Sequence, residues 1–217
     1  MIVTIDGPAG TGKSTAARRL AEQLGFQFLD TGAMYRVVAL RCLEQTANPE
    51  SDEASGALAR SAEITFEDCR TFLGGRDVSH LIRETNVTQA ASLVARNPSV
   101  RSAMVELQRA FATGRDIVTE GRDQGTVVFP MAELKLYLTA DPVERARRRF
   151  DELRAQGQSV TIEELLEQQG LRDQRDQTRD VAPLRAADDA VVIDTTSLSI
   201  EQVLERMLEL VTARRSR

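Results

Sequence analysis

Short apolar runs alternate along this chain with longer stretches of helical spacing. Residues 2–5, 26–29, 117–119, 134–138 and 190–193 are apolar runs of strand length and composition. Each of the first four is expected to lead into a stretch with helical spacing, and the fifth into a helix over 199–211. This repetition predicts an α/β fold with a five-stranded parallel sheet covered on both faces. Parallel sheets present ligands at the carboxyl ends of their strands. Asp6, Asp30, Glu120, Asp141 and Asp194 all fall just past a strand end. The rhythm breaks in the middle. Residues 46–58 are polar and contain Asn48-Pro49, and two short strand-like pieces flank Gly74-Gly75. We expect an insertion over about 46–95 with a small antiparallel element, either a surface decoration or a cover for a substrate.

Composition changes this picture little. The 217 residues, 41% hydrophobic and 28% charged, suffice for one α/β domain with an insertion. A net charge of −5 argues against general nucleic-acid binding. Cys42 and Cys69 lack metal-ligand spacing and are expected to be free thiols. His80, the single histidine, sits in a polar stretch and is expected at the surface. Met1 begins a strand and not a basic leader, and no apolar run approaches a membrane span, so a cytoplasmic protein is expected. No apolar stripe demands a partner, so a monomer is expected.

The first strand runs into Gly7-Pro8-Ala9-Gly10-Thr11-Gly12-Lys13-Ser14-Thr15. Residues 7–14 match G-x-x-x-x-G-K-[ST], the phosphate-binding P-loop, in the strand–turn–helix context the motif requires. Backbone N–H groups of such a loop converge on an anion. Lys13 is placed to reach the β- and γ-phosphates of a nucleotide, and Ser14 to help hold Mg²⁺. Lys13 and Lys135 are the two lysines of the chain; all other members of its 28 basic residues are arginines. A compact point charge at position 13 suits a migrating phosphoryl group better than a planar fork does.

A P-loop specifies nucleotide, not chemistry. The chain has no Asn-Lys pair, so the base-reading N-K-x-D of a GTPase is missing. It does carry arginines beside glycines and acids at Arg36, Arg101, Arg122 and 172–179. Phosphoryl transfer between two anions needs such charges to offset repulsion. A kinase with an anionic acceptor therefore fits better than a hydrolase. A kinase for a non-nucleotide acceptor and a P-loop switch with a protein partner are the alternatives. The run 144–149 is either a solvated helix face or a source of one or two phosphate contacts.

Four strings, taken in order, go further. The P-loop, Asp30-Thr31-Gly32-Ala33-Met34-Tyr35-Arg36, the segment from Glu120-Gly121-Arg122-Asp123-Gln124 to Pro130, and Arg172 to Arg179 together resemble the bacterial cytidylate (CMP) kinases. The resemblance runs almost end to end. It implies the P-loop kinase fold, with a core at 1–35 and 96–217, a lid near 150–172 and an inserted monophosphate-binding domain at 36–95. It implies ATP-dependent phosphorylation of CMP and dCMP with Mg²⁺. It implies that Thr31, Tyr35 and Arg36 face the monophosphate, with Arg36 on its phosphate. Ser92, Arg101 and Asp123 would read cytosine, Arg172 and Asp176 would approach the ribose, and Arg122 and Arg179 would clamp phosphates. Asp176 is also spaced to pair with Arg172 and Arg179 along one helix face, and Asp30 to cap the helix that follows it. Gln124 stands where the family pattern has an apolar residue; it either alters the polarity of the pocket or points to solvent, and the second is expected.

Overall fold

The computed structural model describes residues 1–67, 70–155, 157–179 and 181–215; Cys69 lies outside them. The chain forms two compact units, residues 1–29 with 114–217, and residues 30–113.

The first unit holds β1 (Ile2–Asp6), α1 (Lys13–Leu24), β2 (Gln27–Asp30, whose last residue is assigned to the second unit), β6 (Ile117–Gly121), β7 (Leu134–Thr139), α6 (Pro142–Ala155), α7 (Ile162–Thr178), β8 (Val191–Asp194) and α8 (Ile200–Arg215). Its five-stranded sheet runs β2-β6-β1-β7-β8. β1 pairs in parallel with β6 and β7, and β7 with β8. Val3, Thr4 and Ile5 are all buried, as expected of a central parallel strand covered on both faces. α1 packs Ala16, Ala17 and Leu20 into a cluster with Val3, Ile5, Leu136 and Leu138, and α8 adds Met207 and Val211. α6 and α7 form a helical pair around Ala146, Leu153 and Leu165. α7 begins with a capping box, Thr161 accepting the Glu164 N–H while Glu164 accepts the Thr161 N–H.

One expected helix is not there. β6 is followed by a single π-helical turn, Gln124–Val128, and the chain then runs directly into β7. Gly125 sits against Thr4 and Lys135 so closely that a Cβ there would lie 2.9 Å from Thr4 Oγ1. The turn is thus pressed onto the middle of the sheet, over β1 and β7.

The second unit holds α2 (Thr31–Glu44), α3 (Asp52–Arg60), α4 (Thr85–Val94), α5 (Pro98–Ala112) and an antiparallel three-stranded sheet of β3 (Ile64–Glu67), β4 (Arg70–Leu73) and β5 (Arg76–Asp77). Gly74-Gly75, both at positive φ, turn β4 into β5 as the sequence predicts. α3 begins within the polar stretch 46–58, where no helix is expected from an apolar period. Its start was nevertheless written locally: Ser51 caps it by accepting the Ala54 N–H, and Asp52 and Glu53 occupy the first turn. Cys42 is a buried free thiol and His80 is exposed. No helix among the described residues is long and apolar enough to cross a membrane.

Gly7 joins β1 to the loop at φ 143°, and a Cβ there would lie 2.0 Å from the Leu138 carbonyl oxygen. Gly7→Ala is therefore expected to destabilise the protein by more than about 3 kcal/mol. Urea unfolding checks this; an unchanged midpoint would mean that the loop has room the structure does not show.

Candidate active site

The P-loop follows β1 because Gly7, Gly10 and Gly12 all adopt positive φ. Gly12 ends the loop in the left-handed region and serves as the N-cap of α1. A Cβ at Gly12 would meet nothing within 4 Å, so the space in front of the helix start is open. The N-terminal amides of α1 have no side-chain cap, which leaves this end suited to an anion. Lys13 is buried, and its Nζ donates to the Pro8 carbonyl of its own loop at 2.5 Å. Burial, aided by nearby Arg122, holds the Lys13 ammonium well below its ordinary pKa. An incoming polyanion would favour the charged form and oppose that shift.

Ser14 Oγ donates to Glu120 Oε1 at 3.0 Å. This places a hydroxyl and a carboxylate side by side at the ends of α1 and β6. No group of three His, Cys, Asp or Glu residues able to hold a metal by itself is found among the described residues. The donor set instead suits a cation that brings phosphate ligands with it.

Arg122 and Asp123 come directly after β6. Arg122 Nε donates to Asp176 Oδ2 on α7 at 3.0 Å. Burial works against the Arg122 charge, but Asp176 and Glu120 outweigh it and its pKa lies above the ordinary guanidinium value. Asp176 thus reaches out of its own helix to the strand end. Asp123 is buried, with Arg179 Nη2 3.9 Å from its Oδ1. Arg172 adds its field to that of Lys13. Six of the residues singled out from the sequence therefore gather in the first unit: Lys13, Arg122, Asp123, Arg172, Asp176 and Arg179.

Gln124 is buried, contrary to expectation, and its Oε1 accepts the Thr119 hydroxyl at 2.9 Å. The π turn folds the side chain back beneath Gly121, where a Cβ would lie 2.8 Å from Gln124 Cγ. In the 144–149 run the two expectations divide. Arg145 is buried, ion-paired with Asp173 Oδ2 at 2.7 Å and donating to the P-loop carbonyl of Ala9 at 2.9 Å. Arg149 pairs with Glu152 in solvent.

In the second unit, Thr31 opens α2 and Asp30 caps it by accepting the Ala33 N–H at 2.9 Å. The Arg36 guanidinium lies over the first turn, 3.6 Å from where a Gly32 Cβ would be. Arg101 is buried and its guanidinium carbon stands 5.9 Å from the Tyr35 ring centroid. Ser92 Oγ lies 3.4 Å from the Thr88 carbonyl on α4.

Three acids at the site carry no role in the sequence reading: Asp6, Glu120 and Asp173. Asp6 accepts backbone N–H groups from Gln124 and Gly125, and burial nevertheless pushes its pKa up to about 6. The signal for Asp6 and Glu120 was their place at strand ends. Asp173 carries no local signal, whereas its partner Arg145 belongs to the arginine-rich run.

A family model described as cytidylate kinase matches residues 3–213. A cytidylate kinase of Rhodopirellula baltica is 48% identical over 97% of this chain and 92% of its own length. One from Vibrio cholerae is 46% identical over 98% of this chain and 96% of its own. Among solved structures, a shikimate kinase from Bacteroides thetaiotaomicron is 14% identical, covers 98% of each chain and superposes with a TM-score of 0.50, a likeness of fold alone.

Proposed function

The chain belongs to the cytidylate kinase family, and from that premise we propose that it transfers the γ-phosphoryl group of ATP to CMP, and also to dCMP. A phosphate oxygen of the acceptor attacks the γ-phosphorus in line. The bond from that phosphorus to the β–γ bridging oxygen breaks, leaving ADP and the cytidine diphosphate. No general base is required, because the acceptor phosphate is already ionised at neutral pH.

The observation that carries this reading is the juxtaposition of an open P-loop with a buried Lys13 and the Arg122-Asp123 strand end, whose charges act on one another. The ATP phosphates are assigned to the backbone of Gly7, Pro8, Ala9, Gly10, Thr11 and Gly12 and to Lys13, Ser14 and Thr15. Ser14 would hold Mg²⁺ together with phosphate oxygens, and the ion would neutralise charge on the nucleotide. Arg122 and Arg179 supply fixed positive charge to the transferring group at little reorganisation cost. Asp123 is assigned to the cytosine N4 amino group. Arg101 and Ser92 are assigned to the base's N3 and O2 acceptors, and Arg36, with Thr31 and Tyr35, to the acceptor phosphate. Arg172 and Asp176 are assigned to the ribose. Residues 150–172 serve as the lid in this reading, excluding water that would otherwise take the phosphoryl group.

The test is ADP formation from Mg·ATP with CMP, dCMP, UMP, AMP, GMP, dTMP or no acceptor. Fast turnover with CMP and dCMP, slower with UMP and near none with the rest is expected. Turnover with none of them would remove the pyrimidine assignments and leave only the phosphate cradle.

A further inference from the structure

Asp6 closes β1 and is 4% exposed. Its two carboxylate oxygens are used separately. Oδ1 accepts the Gln124 N–H at 2.9 Å and Oδ2 accepts the Gly125 N–H at 2.8 Å. These two amides open the π turn, directly after Arg122 and Asp123. In the sheet register Asp6 stands opposite Gly121, so its carboxylate ties the end of β1 to the chain just beyond the end of β6. A second tie comes from the bond between Thr119 Oγ1 and Gln124 Oε1, inside the same strand and turn.

A buried carboxylate is costly unless its oxygens are satisfied. Here both are, by the amides of consecutive residues. Asparagine cannot reproduce this, because its NH₂ group would face an N–H where an acceptor is needed. The two bonds offset part of the cost of burying Asp6, and both fix the backbone that follows Arg122 and Asp123.

We propose that Asp6 is a positioning residue for acceptor recognition, holding the 124–128 turn so that Arg122 and Asp123 are presented to CMP in one orientation. This rests on the assignment of Asp123 to cytosine made above. Asp6 also adjoins Gly7, so a role confined to the P-loop is the competing account, and the two nucleotides separate the two. An effect through the turn falls on CMP; an effect through the P-loop falls on ATP.

The experiment is steady-state kinetics of Asp6→Asn, Thr119→Val and Asp123→Ala in the full chain, with CMP, UMP and ATP varied in turn and folding checked by thermal denaturation. Asp6→Asn is expected to raise KM for CMP about 10-fold and to lower the CMP/UMP ratio of kcat/KM by a similar factor, while KM for ATP changes less than about 3-fold. Thr119→Val removes the weaker tie and is expected to shift CMP in the same direction by about 3-fold. A folded Asp6→Asn protein with wild-type CMP/UMP discrimination overturns the proposal, as does a KM for ATP that rises in step with that for CMP. If Asp6→Asn does not fold, Thr119→Val decides, and unchanged CMP kinetics in that variant overturns it. Discrimination lost in Asp123→Ala but kept in Asp6→Asn defeats this inference alone. Discrimination kept in Asp123→Ala defeats the cytosine assignment itself.

Discussion

Replacing Lys13 with alanine is expected to lower kcat by about 10³-fold while the protein stays folded. The ammonium is buried and desolvated, and its 2.5 Å hydrogen bond is to a carbonyl of its own loop. Such a group contributes little to stability, because the cost of burying the charge offsets what the bond returns. On the proposed function its use lies with the ATP phosphates. In the transition state the γ-phosphoryl group carries charge on its equatorial oxygens, and a positive charge already in place there costs no reorganisation. Rapid-quench or coupled-assay measurement of kcat at saturating Mg·ATP and CMP, alongside a melting curve, checks both halves. Lys13→Arg is expected to recover little of the loss, since the guanidinium is larger and planar. Near-normal turnover in Lys13→Ala would detach the P-loop from the chemistry.

Asp123→Ala is expected to lower kcat/KM for CMP by about 10²-fold or more and to leave UMP much less affected. A buried carboxylate matched to the cytosine N4 amino group would be left without a donor, and in repulsion, when uracil presents a carbonyl there. On the proposed assignment that difference is the source of discrimination, and it would disappear with the carboxylate. Asp123 also faces Arg179 at 3.9 Å, with both side chains largely buried. If that pairing were its whole purpose, Asp123→Ala would depress CMP and UMP equally, by misplacing Arg179. The CMP/UMP ratio of kcat/KM therefore separates the two roles, and an unchanged ratio refutes base reading by Asp123.

Much of this fold is legible in the local sequence. The five strands lie where the apolar runs predict, to within a residue or two, and the P-loop glycines adopt the positive φ that the motif requires. The misses have a common physical character. α3 is a polar-faced helix whose evidence lies in its cap and first turn rather than in an apolar period. The helix expected after 117–119 was written in residues that fold as a π turn, because Gly125 must pack against Thr4 and Lys135. Gln124 looks like a surface residue by type, but it is buried and satisfied by Thr119.

The sequence by itself determined the alternation of strand and helix, the phosphate cradle and the choice of lysine within it. These depend on consecutive residues, where backbone preference and side-chain period act over one or two turns. Only the tertiary structure decided which charges meet. Arg122 pairs with Asp176 across 54 positions, Asp6 reaches Gln124 across 118, and Arg145 reaches the Ala9 carbonyl across 136. In a chain with 28 basic and 33 acidic residues, pairing is degenerate along the sequence. It becomes unique once the order β2-β6-β1-β7-β8 sets the ends of β1 and β6 side by side. There, burial penalises every charge that lacks a partner, and the surviving pairs are those the sheet has already brought within reach.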